Sequence, residues 1–166
     1  MDTQEAIKSR TSVREYTDKP IAKEALNSVV DAARFAPTAR GVEPWEFIVI
    51  TNQETLKKIG EIAENGKFVA GAAACIAVFC SETKYYLEDG CAATENMLIA
   101  ATALGIGSCW VAGDKKPYCS RISELLNAPV SLKLVSLIAL GYPESGKTAG
   151  IRQKRGLGEV MHWEKF

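Results

Sequence analysis

The sequence predicts an α+β fold in which helices cover both faces of a mixed β-sheet. Its 166 residues are enough for one domain with a continuous core. Apolar residues occur at helical spacing in some segments and in short continuous runs in others. Their order is helix, helix, strand, helix, strand, helix, strand, helix, strand. The hydrophobic fraction of 47% and the charged fraction of 24% are ordinary for a globular protein, so we expect residues 1–166 to form a single domain.

The first half of the chain predicts two helices followed by a strand. Asp2 with Glu5 is typical of a capping box, which predicts a short helix at the N-terminus. Residues 22–36 keep apolar positions at helical spacing, and Pro37 ends the pattern because proline cannot continue a helix. Residues 45–51 form a compact run rich in Ile and Val, which predicts a strand.

The middle of the chain alternates helix and strand. Asn52 is placed to cap a helix that ends at Asn65–Gly66, and residues 73–80 predict a second, buried strand. Residues 88–104 predict a long helix that is apolar around nearly its whole circumference. The residues that interrupt it are Asp89, Thr94, Glu95 and Asn96. Such a helix must be covered on all sides, and in a chain this short we expect a subunit interface to cover it.

The last third predicts two strands and a loose C-terminal extension. Strands at 108–112 and 132–140 flank a helix at 117–127, and the second strand is interpreted as fully buried because polar residues barely interrupt it. From residue 142 the chain turns glycine-rich and basic, and it then ends in the apolar segment Val160–Trp163. An apolar terminus after a loose segment needs a docking site, and a neighbouring subunit is one.

Composition excludes several classes of protein. The 20 basic residues equal the 20 acidic ones, which argues against a nucleic-acid binder. Positive charge is nevertheless concentrated at residues 8–14 and 147–155, which could meet around one anionic group. The longest apolar run, residues 69–80, is shorter than the roughly 20 residues that a bilayer requires, and the acidic N-terminus lacks a secretory signal. Five cysteines without a Cys-x-x-Cys pair predict a reduced, cytoplasmic protein without a metal site.

The segment Arg10–Arg14 is the first candidate binding site. In an extended chain alternate residues point the same way, so Arg10, Ser12 and Arg14 would share one face. Two guanidinium groups and a hydroxyl are good donors for a phosphate dianion. By itself the pattern is equally compatible with a solvated basic turn.

Three further segments are candidates. The small residues of segment 36–45 would let the backbone approach a flat ligand closely, although an ordinary helix-to-strand connection has the same composition. Segment 104–113 is glycine-rich, but its glycines follow a helix and precede a strand, which is the wrong order for a dinucleotide-binding fingerprint. The third segment is a basic tail consisting of Arg152, Lys154 and Arg155.

Side-chain catalytic sets are missing from the sequence. The one histidine, His162, lies beside Trp163 and is interpreted as a packing residue rather than a base. No nucleophile elbow or Cys–His pair stands out. If the protein is an enzyme, a bound cofactor should carry the chemistry.

Taken in chain order, these segments resemble the nitroreductase family of FMN enzymes. The resemblance covers nearly the whole chain and rests on RTSVREY, APTARGVEPWEFIV, ALGIGSCWVAG, LIALGYPE and the closing GEVMHWEKF. It implies a three-layer sandwich with a mixed, mainly antiparallel sheet. It also implies a homodimer that forms through its long helices, with residues 142–166 exchanged so that they embrace the partner. FMN would lie in the dimer interface, in sites built from both subunits.

The resemblance also implies the residues that bind FMN. The phosphate and ribityl grip would consist of Arg10, Thr11, Ser12 and Arg14, joined by Lys154 and Arg155. A loop that the partner lays against the flavin ring would consist of Pro37, Thr38, Ala39 and Gly41. A strand end whose backbone faces the ring, with amides near N5 and O4, would consist of Trp110, Val111, Ala112 and Gly113. A polar contact to the pyrimidine edge would come from Asn65 and Lys67.

The sequence departs from the family pattern in two places near this site. The family commonly has Asn two positions before Gln-Pro-Trp, whereas this chain has Gly41 and Glu43 at those two positions. Only residues 81–87 separate the second strand from the long helix, where larger members carry helices that cover the substrate pocket. We therefore expect an open pocket with Tyr85 and Tyr86 at its edge.

The activity that the resemblance implies is a ping-pong exchange. NAD(P)H would be the co-substrate, and an electron-poor molecule such as a nitroaromatic or a quinone would be the acceptor. Reduction of enones or halogenated aromatics on the same flavin is an alternative. A flavin-binding or redox-sensing protein with little turnover is another, and a purely structural dimer is a third. The sequence does not distinguish NADH from NADPH.

Overall fold

A computed structural model describes residues 1–144 and 153–166. Most of the basic cluster at 147–155, including Arg152, lies outside the described residues. The helices are α1 Thr3–Ser9, α2 Lys23–Ala33, α3 Gln53–Ile62, α4 Tyr86–Ala103 and α5 Cys119–Leu125. The strands are β1 Trp45–Ile50, β2 Ala74–Ser81, β3 Gly107–Ala112 and β4 Leu132–Gly141. This is the predicted order of elements.

The four strands form one sheet in the order β1-β2-β4-β3, with every neighbouring pair antiparallel. The one parallel contact in the described part of the chain is an isolated bridge between Ser12 and Ser108. The mixed character that we predicted is therefore limited to this bridge. β1 and β3 are the edge strands, and β3 is the edge next to the segment Arg10–Arg14.

Each face of the sheet has its own hydrophobic core, which confirms the three-layer sandwich. Side chains of a strand alternate between the two faces. In β2, Ile76 and Val78 pack towards α2 and α4, while Ala77 and Phe79 pack towards α3 and α5. Because both faces are covered, β2 needs an apolar residue at nearly every position.

Local capping explains where several helices begin. Asp2 accepts a hydrogen bond from the Glu5 amide at 2.9 Å, and Glu5 accepts one from the Asp2 amide at 3.1 Å. Asn52 accepts the Thr55 amide at 3.0 Å and starts α3. At the other end of a helix, α2 stops at Ala33 rather than at the predicted residue 36. Pro37 disfavours helical geometry at Ala36, and residues 34–35 form the closing turn.

Helix α4 spans the sheet and is only partly covered by its own chain. Its inner side, including Ala93, Met97 and Ala101, is fully buried. Its outer side, including Cys91 and Ile99, remains partly exposed. The single chain therefore does not bury this helix on all sides, as its apolar circumference predicts. Among the described residues no helix has the length and apolar character that crossing a membrane would take.

The C-terminal residues 153–166 are exposed throughout. They contain a short turn of 3₁₀ helix at Leu157–Glu159. The exposed fraction is 77% for Trp163 and 104% for Phe166. In the single chain these apolar side chains are therefore left uncovered.

Candidate functional site

The segment Arg10–Arg14 lies in extended form along the open edge of β3. The Val13 amide donates to the Ser108 carbonyl oxygen at 2.9 Å, and the Val13 side chain is buried, at 4% exposure. A Cβ on Gly107 would come within 3.0 Å of the Val13 side chain. Glycine at this position is therefore what lets the segment approach the sheet.

The structure brings the three predicted phosphate-binding side chains around one buried sulfur atom, that of Cys109. Burial raises the pKa of the Cys109 thiol, while the Arg14 guanidinium, a hydrogen bond from Ser12 and the Arg10 guanidinium oppose the rise. Such effects act at short range. All three side chains therefore act on the same sulfur atom, and their joint contact with a phosphate stays a prediction. Arg14 also lies over the ring of Phe68, 5.6 Å from its centroid.

The positive charges of this segment are left unpaired. Across residues 1–144 and 153–166, neither Arg10 nor Arg14 forms an ion pair with a carboxylate. Beside them, the hydroxyl of Ser108 is buried and has no hydrogen-bond partner in the described structure. Two free guanidinium groups on a rigid backbone suit a phosphate such as that of FMN. The residues present therefore fit this group.

The far end of β3 presents backbone amides to the same open edge. The Gly113 amide donates to the Val135 carbonyl oxygen at 3.0 Å, within the sheet. Because amides alternate in direction along an antiparallel edge strand, those of Trp110 and Ala112 point outward. The Gly113 amide is used within the sheet, and the contact of this strand end with the flavin stays a prediction. By the same alternation the backbone amide of Val111 points to β4, and its side chain is buried in the core, so Val111 offers no donor at the open edge.

Asn65 and Lys67 lie in the turn after α3, beside β3. Both side chains are exposed. Gly66, between them, packs against the strand, because a Cβ there would lie 3.1 Å from Cγ1 of Val111. The turn therefore borders the strand that carries the outward amides, next to Phe68 and Arg14.

The loop that contains Pro37, Thr38, Ala39 and Gly41 is held by a buried carboxylate on α4. The Thr38 hydroxyl donates to Oδ2 of Asp89 at 2.9 Å, and the Ala39 amide donates to Oδ1 at 3.0 Å. Thr38 in turn accepts the Glu43 amide at 3.0 Å. Asp89 is 4% exposed. We call residues 38–43 the Asp89 loop.

Within one chain the Asp89 loop and the segment Arg10–Arg14 lie at opposite ends of α4. The loop contacts the first turn of the helix. The Ile106 amide donates to Ala101 in the last turn at 2.8 Å, and β3 and its bridge to Ser12 follow directly. Position 101 is twelve residues further along the helix than position 89, which is about 18 Å along the axis. Lys154 and Arg155 lie on the exposed tail, without a described contact to either region.

Sequence reasoning missed two features of the site. One is the role of Asp89. An acidic residue within an otherwise apolar helix is the sequence feature that could have indicated it. The other is the pair Tyr86 and Asp114, in which the tyrosine hydroxyl donates to Oδ1 of the aspartate at 2.6 Å. This hydrogen bond, with a smaller contribution from burial, raises the pKa of Tyr86 to about 12. The pair joins the start of α4 to the end of β3, and no local pattern connects residues 28 positions apart.

Comparisons with known proteins agree with this geometry. The sequence model of the Nitroreductase family matches residues 7–86 and 81–142. A protein of Archaeoglobus fulgidus, named as a candidate NADH dehydrogenase/NAD(P)H nitroreductase, is 35% identical across 96% of each chain.

Solved structures are similar over nearly the whole chain. An FMN-dependent nitroreductase from Clostridium difficile superposes with a TM-score of 0.88 at 27% identity, covering 97% of this chain and 98% of the other. A nitroreductase with bound FMN from Bacteroides fragilis has a TM-score of 0.82 at 26% identity, covering 99% and 100%. With its fold, its edge-strand site and these matches taken together, the chain belongs to the nitroreductase family.

Proposed function

We propose that this protein is an FMN-dependent oxidoreductase that passes hydride from NAD(P)H to an electron-poor small molecule, such as a nitroaromatic or a quinone. The observation that carries the proposal is a pair of guanidinium groups, those of Arg10 and Arg14, which form no ion pair within residues 1–144 and 153–166 and lie next to an edge strand with outward backbone amides. The similarity to a nitroreductase with bound FMN supports it.

The chemistry that FMN supplies when bound is two-electron transfer, first from the nicotinamide and then to the acceptor. This chain's residues bind and polarise. Arg10, Ser12 and Arg14 hold the phosphate, and the outward amide of Ala112 donates to the ring edge. Backbone donors that are fixed before charge develops stabilise it without reorganisation. Asn65 and Lys67 supply polar contacts from the turn beside β3.

The site is completed by a second copy of the chain. A two-fold axis perpendicular to α4 would pack two copies of this helix antiparallel. The partner's Asp89 loop would then lie beside the segment Arg10–Arg14, which the loop of the same chain does not reach. The partly exposed outer side of α4 and the exposed apolar tail with Trp163 and Phe166 favour this arrangement. In it, residues 142–166 embrace the partner, and Lys154 and Arg155 join the phosphate grip.

The acceptor pocket is open on the side of the connection between β2 and α4. Only residues 82–85 lie between these two elements. Tyr85 is half-buried there, and Tyr86 is fixed by Asp114. Because the connection itself contains no helix, acceptors of different sizes would reach the ring. No side chain in the described site is placed as a dedicated proton donor, so water supplies the proton.

FMN titration of the purified protein tests the proposal. The wild type should take up FMN, show its absorbance, be reduced by NADH or NADPH, and sediment as a dimer. The double variant Arg10→Ala/Arg14→Ala should lose at least about 3 kcal/mol of FMN affinity, because two charge-assisted hydrogen bonds are removed. The matched control is Arg34→Ala/Arg121→Ala, which removes two exposed arginines elsewhere and should bind as the wild type does. Absence of flavin uptake by the wild type contradicts the proposal.

A further inference from the structure

We propose that Asp89 is a positioning residue that acts on the flavin site of the partner subunit through the Asp89 loop. This inference rests on the proposed function, because it assigns a role toward bound FMN. Asp89 itself contacts Thr38 and Ala39 and no part of the segment Arg10–Arg14. Its effect on the ligand is therefore indirect.

Asp89 accepts hydrogen bonds from the two donors at the start of the loop, the Thr38 hydroxyl and the Ala39 amide. Both carboxylate oxygens of Asp89 are used, one by the Thr38 hydroxyl and one by the Ala39 amide. A buried carboxylate is stable only when such donors surround it. The loop and the helix therefore fix each other, and the turn cannot leave α4 without exposing a buried, unpaired charge.

The backbone beyond Ala39 needs this support. Arg40 and Glu43 have φ values of 60° and 50°, in the left-handed region, and Gly41 between them has a φ of 67°. Non-glycine residues adopt this region at an energetic cost, so they do so where the surroundings impose it. The Glu43 amide also depends on Thr38. Asp89 therefore determines the shape of the whole loop, from residue 38 to residue 43.

Conservative and disruptive variants measure this role. Asp89→Ala should raise the Kd for FMN about tenfold, the change expected when one charge-assisted contact is lost, and should alter the visible circular dichroism of the bound flavin. Asp89→Asn keeps one acceptor oxygen and should lie between Asp89→Ala and the wild type. Thr38→Val removes the hydroxyl from the half-buried loop and should shift the Kd in the same direction by less. Asp31→Ala, an exposed helical aspartate, is the matched control and should leave Kd unchanged.

A mixed dimer tests whether the loop serves the partner's site. One chain carries Arg10→Ala/Arg14→Ala, and the other carries Asp89→Ala, or Asp89→Asn if the alanine variant does not fold. If the loop acts on the partner's site, one site receives both defects and the other receives none. Each mixed dimer should then bind one FMN with wild-type affinity. If the loop acts within its own chain, both sites are damaged and no tight site remains.

Three results would overturn the inference. The first is a wild-type Kd and circular dichroism spectrum in both Asp89→Asn and Thr38→Val. The second is a mixed dimer without a tight FMN site. The third is a wild-type protein that takes up no FMN, which overturns the proposed function as well. FMN uptake by the wild type is therefore measured first. When the wild type binds FMN, either of the first two results contradicts the inference and leaves the proposed function standing.

Discussion

The segment Arg10–Arg14 and the Asp89 loop are both irregular surface stretches, yet the fold holds them in opposite ways. The segment is attached through its backbone, by the bridge from Ser12 to Ser108, and its guanidinium groups form no ion pair with a carboxylate of the described residues. The loop is attached through polar groups that are used up by Asp89. The first arrangement suits the binding of a charged group of a ligand. The second suits a rigid stretch of backbone that packs against a flat ligand.

The pKa values of two buried thiols show that the electrostatic surroundings of the segment and of the loop also differ. Burial raises the pKa of Cys109, and the Arg14 and Arg10 guanidinium groups oppose the rise. Burial likewise raises the pKa of Cys80 to about 12, but there Asp89 adds to the rise. The arginine end is therefore prepared for an anion, whereas the loop end already contains one.

Alkaline pH should have the largest effect on the free energy of unfolding. Variants of one thiol in each core should show how much each core contributes to that effect. Burial raises the pKa of Cys75, in the core with α3 and α5, and of Cys80, in the core with α2 and α4, from 9.0 to about 12. Above pH 9.0 the unfolded thiols ionise while the folded ones stay protonated, so stability falls as pH rises towards about 12. Each thiol contributes a loss of about 1.4 kcal/mol per pH unit in this window.

Urea unfolding across the alkaline range measures this loss in the wild type and in single variants. Cys75→Ala and Cys80→Ala should each reduce the slope by one thiol's contribution, whatever their effect at neutral pH. A slope that neither substitution changes would show that these thiols do not have raised pKa values in the fold.

Gly141→Ala should have the next largest effect, because it disturbs the packing of Tyr16, which supports the segment Arg10–Arg14. A Cβ there would lie 2.6 Å from Cδ1 of Tyr16. Tyr16 cannot move freely, because it is buried and its hydroxyl donates to the Val13 carbonyl oxygen at 2.5 Å. We expect a loss of about 1–3 kcal/mol in the free energy of unfolding, together with weaker FMN binding.

The matched control for this substitution is Gly71→Ala, where an added Cβ meets nothing within 4 Å. Its free energy of unfolding and its FMN affinity should both stay near the wild-type values. Equal stability of the two alanine variants would contradict the close packing of Tyr16 against Gly141.

Adding or removing a glycine in the Asp89 loop should have the smallest effects on the free energy of unfolding. The change should be stabilising at residue 40 and destabilising at residue 41. Arg40→Gly relieves a left-handed residue that costs about 1–2 kcal/mol, but glycine loses roughly 0.5–1 kcal/mol in backbone entropy. A net stabilisation of about 0.5 kcal/mol remains. Gly41→Ala, at a φ of 67°, should destabilise by about 1 kcal/mol. Urea unfolding of the two variants checks the signs, and the same sign in both would contradict the loop conformation.

Several features could be predicted because neighbouring residues decide them. The capping box of Asp2 and Glu5 and the cap at Asn52 formed as their spacing predicts. The alternation of Arg10, Ser12 and Arg14 predicts that they share one face if the chain is extended, and the backbone of this segment pairs with Ser108 at the edge of β3. The apolar run of β2 required burial on both faces, and the fold supplies it.

The sequence by itself therefore determined the elements, the three-layer class and the chemistry of the segment Arg10–Arg14. Only the tertiary structure decided that the Gly113 amide belongs to the sheet, that Tyr86 meets Asp114, and that Asp89 holds a loop 50 positions away. The physical reason is that strand order and helix placement choose which distant polar groups meet. A carboxylate in an apolar helix shows that it needs donors, and its sequence neighbours do not show where those donors are.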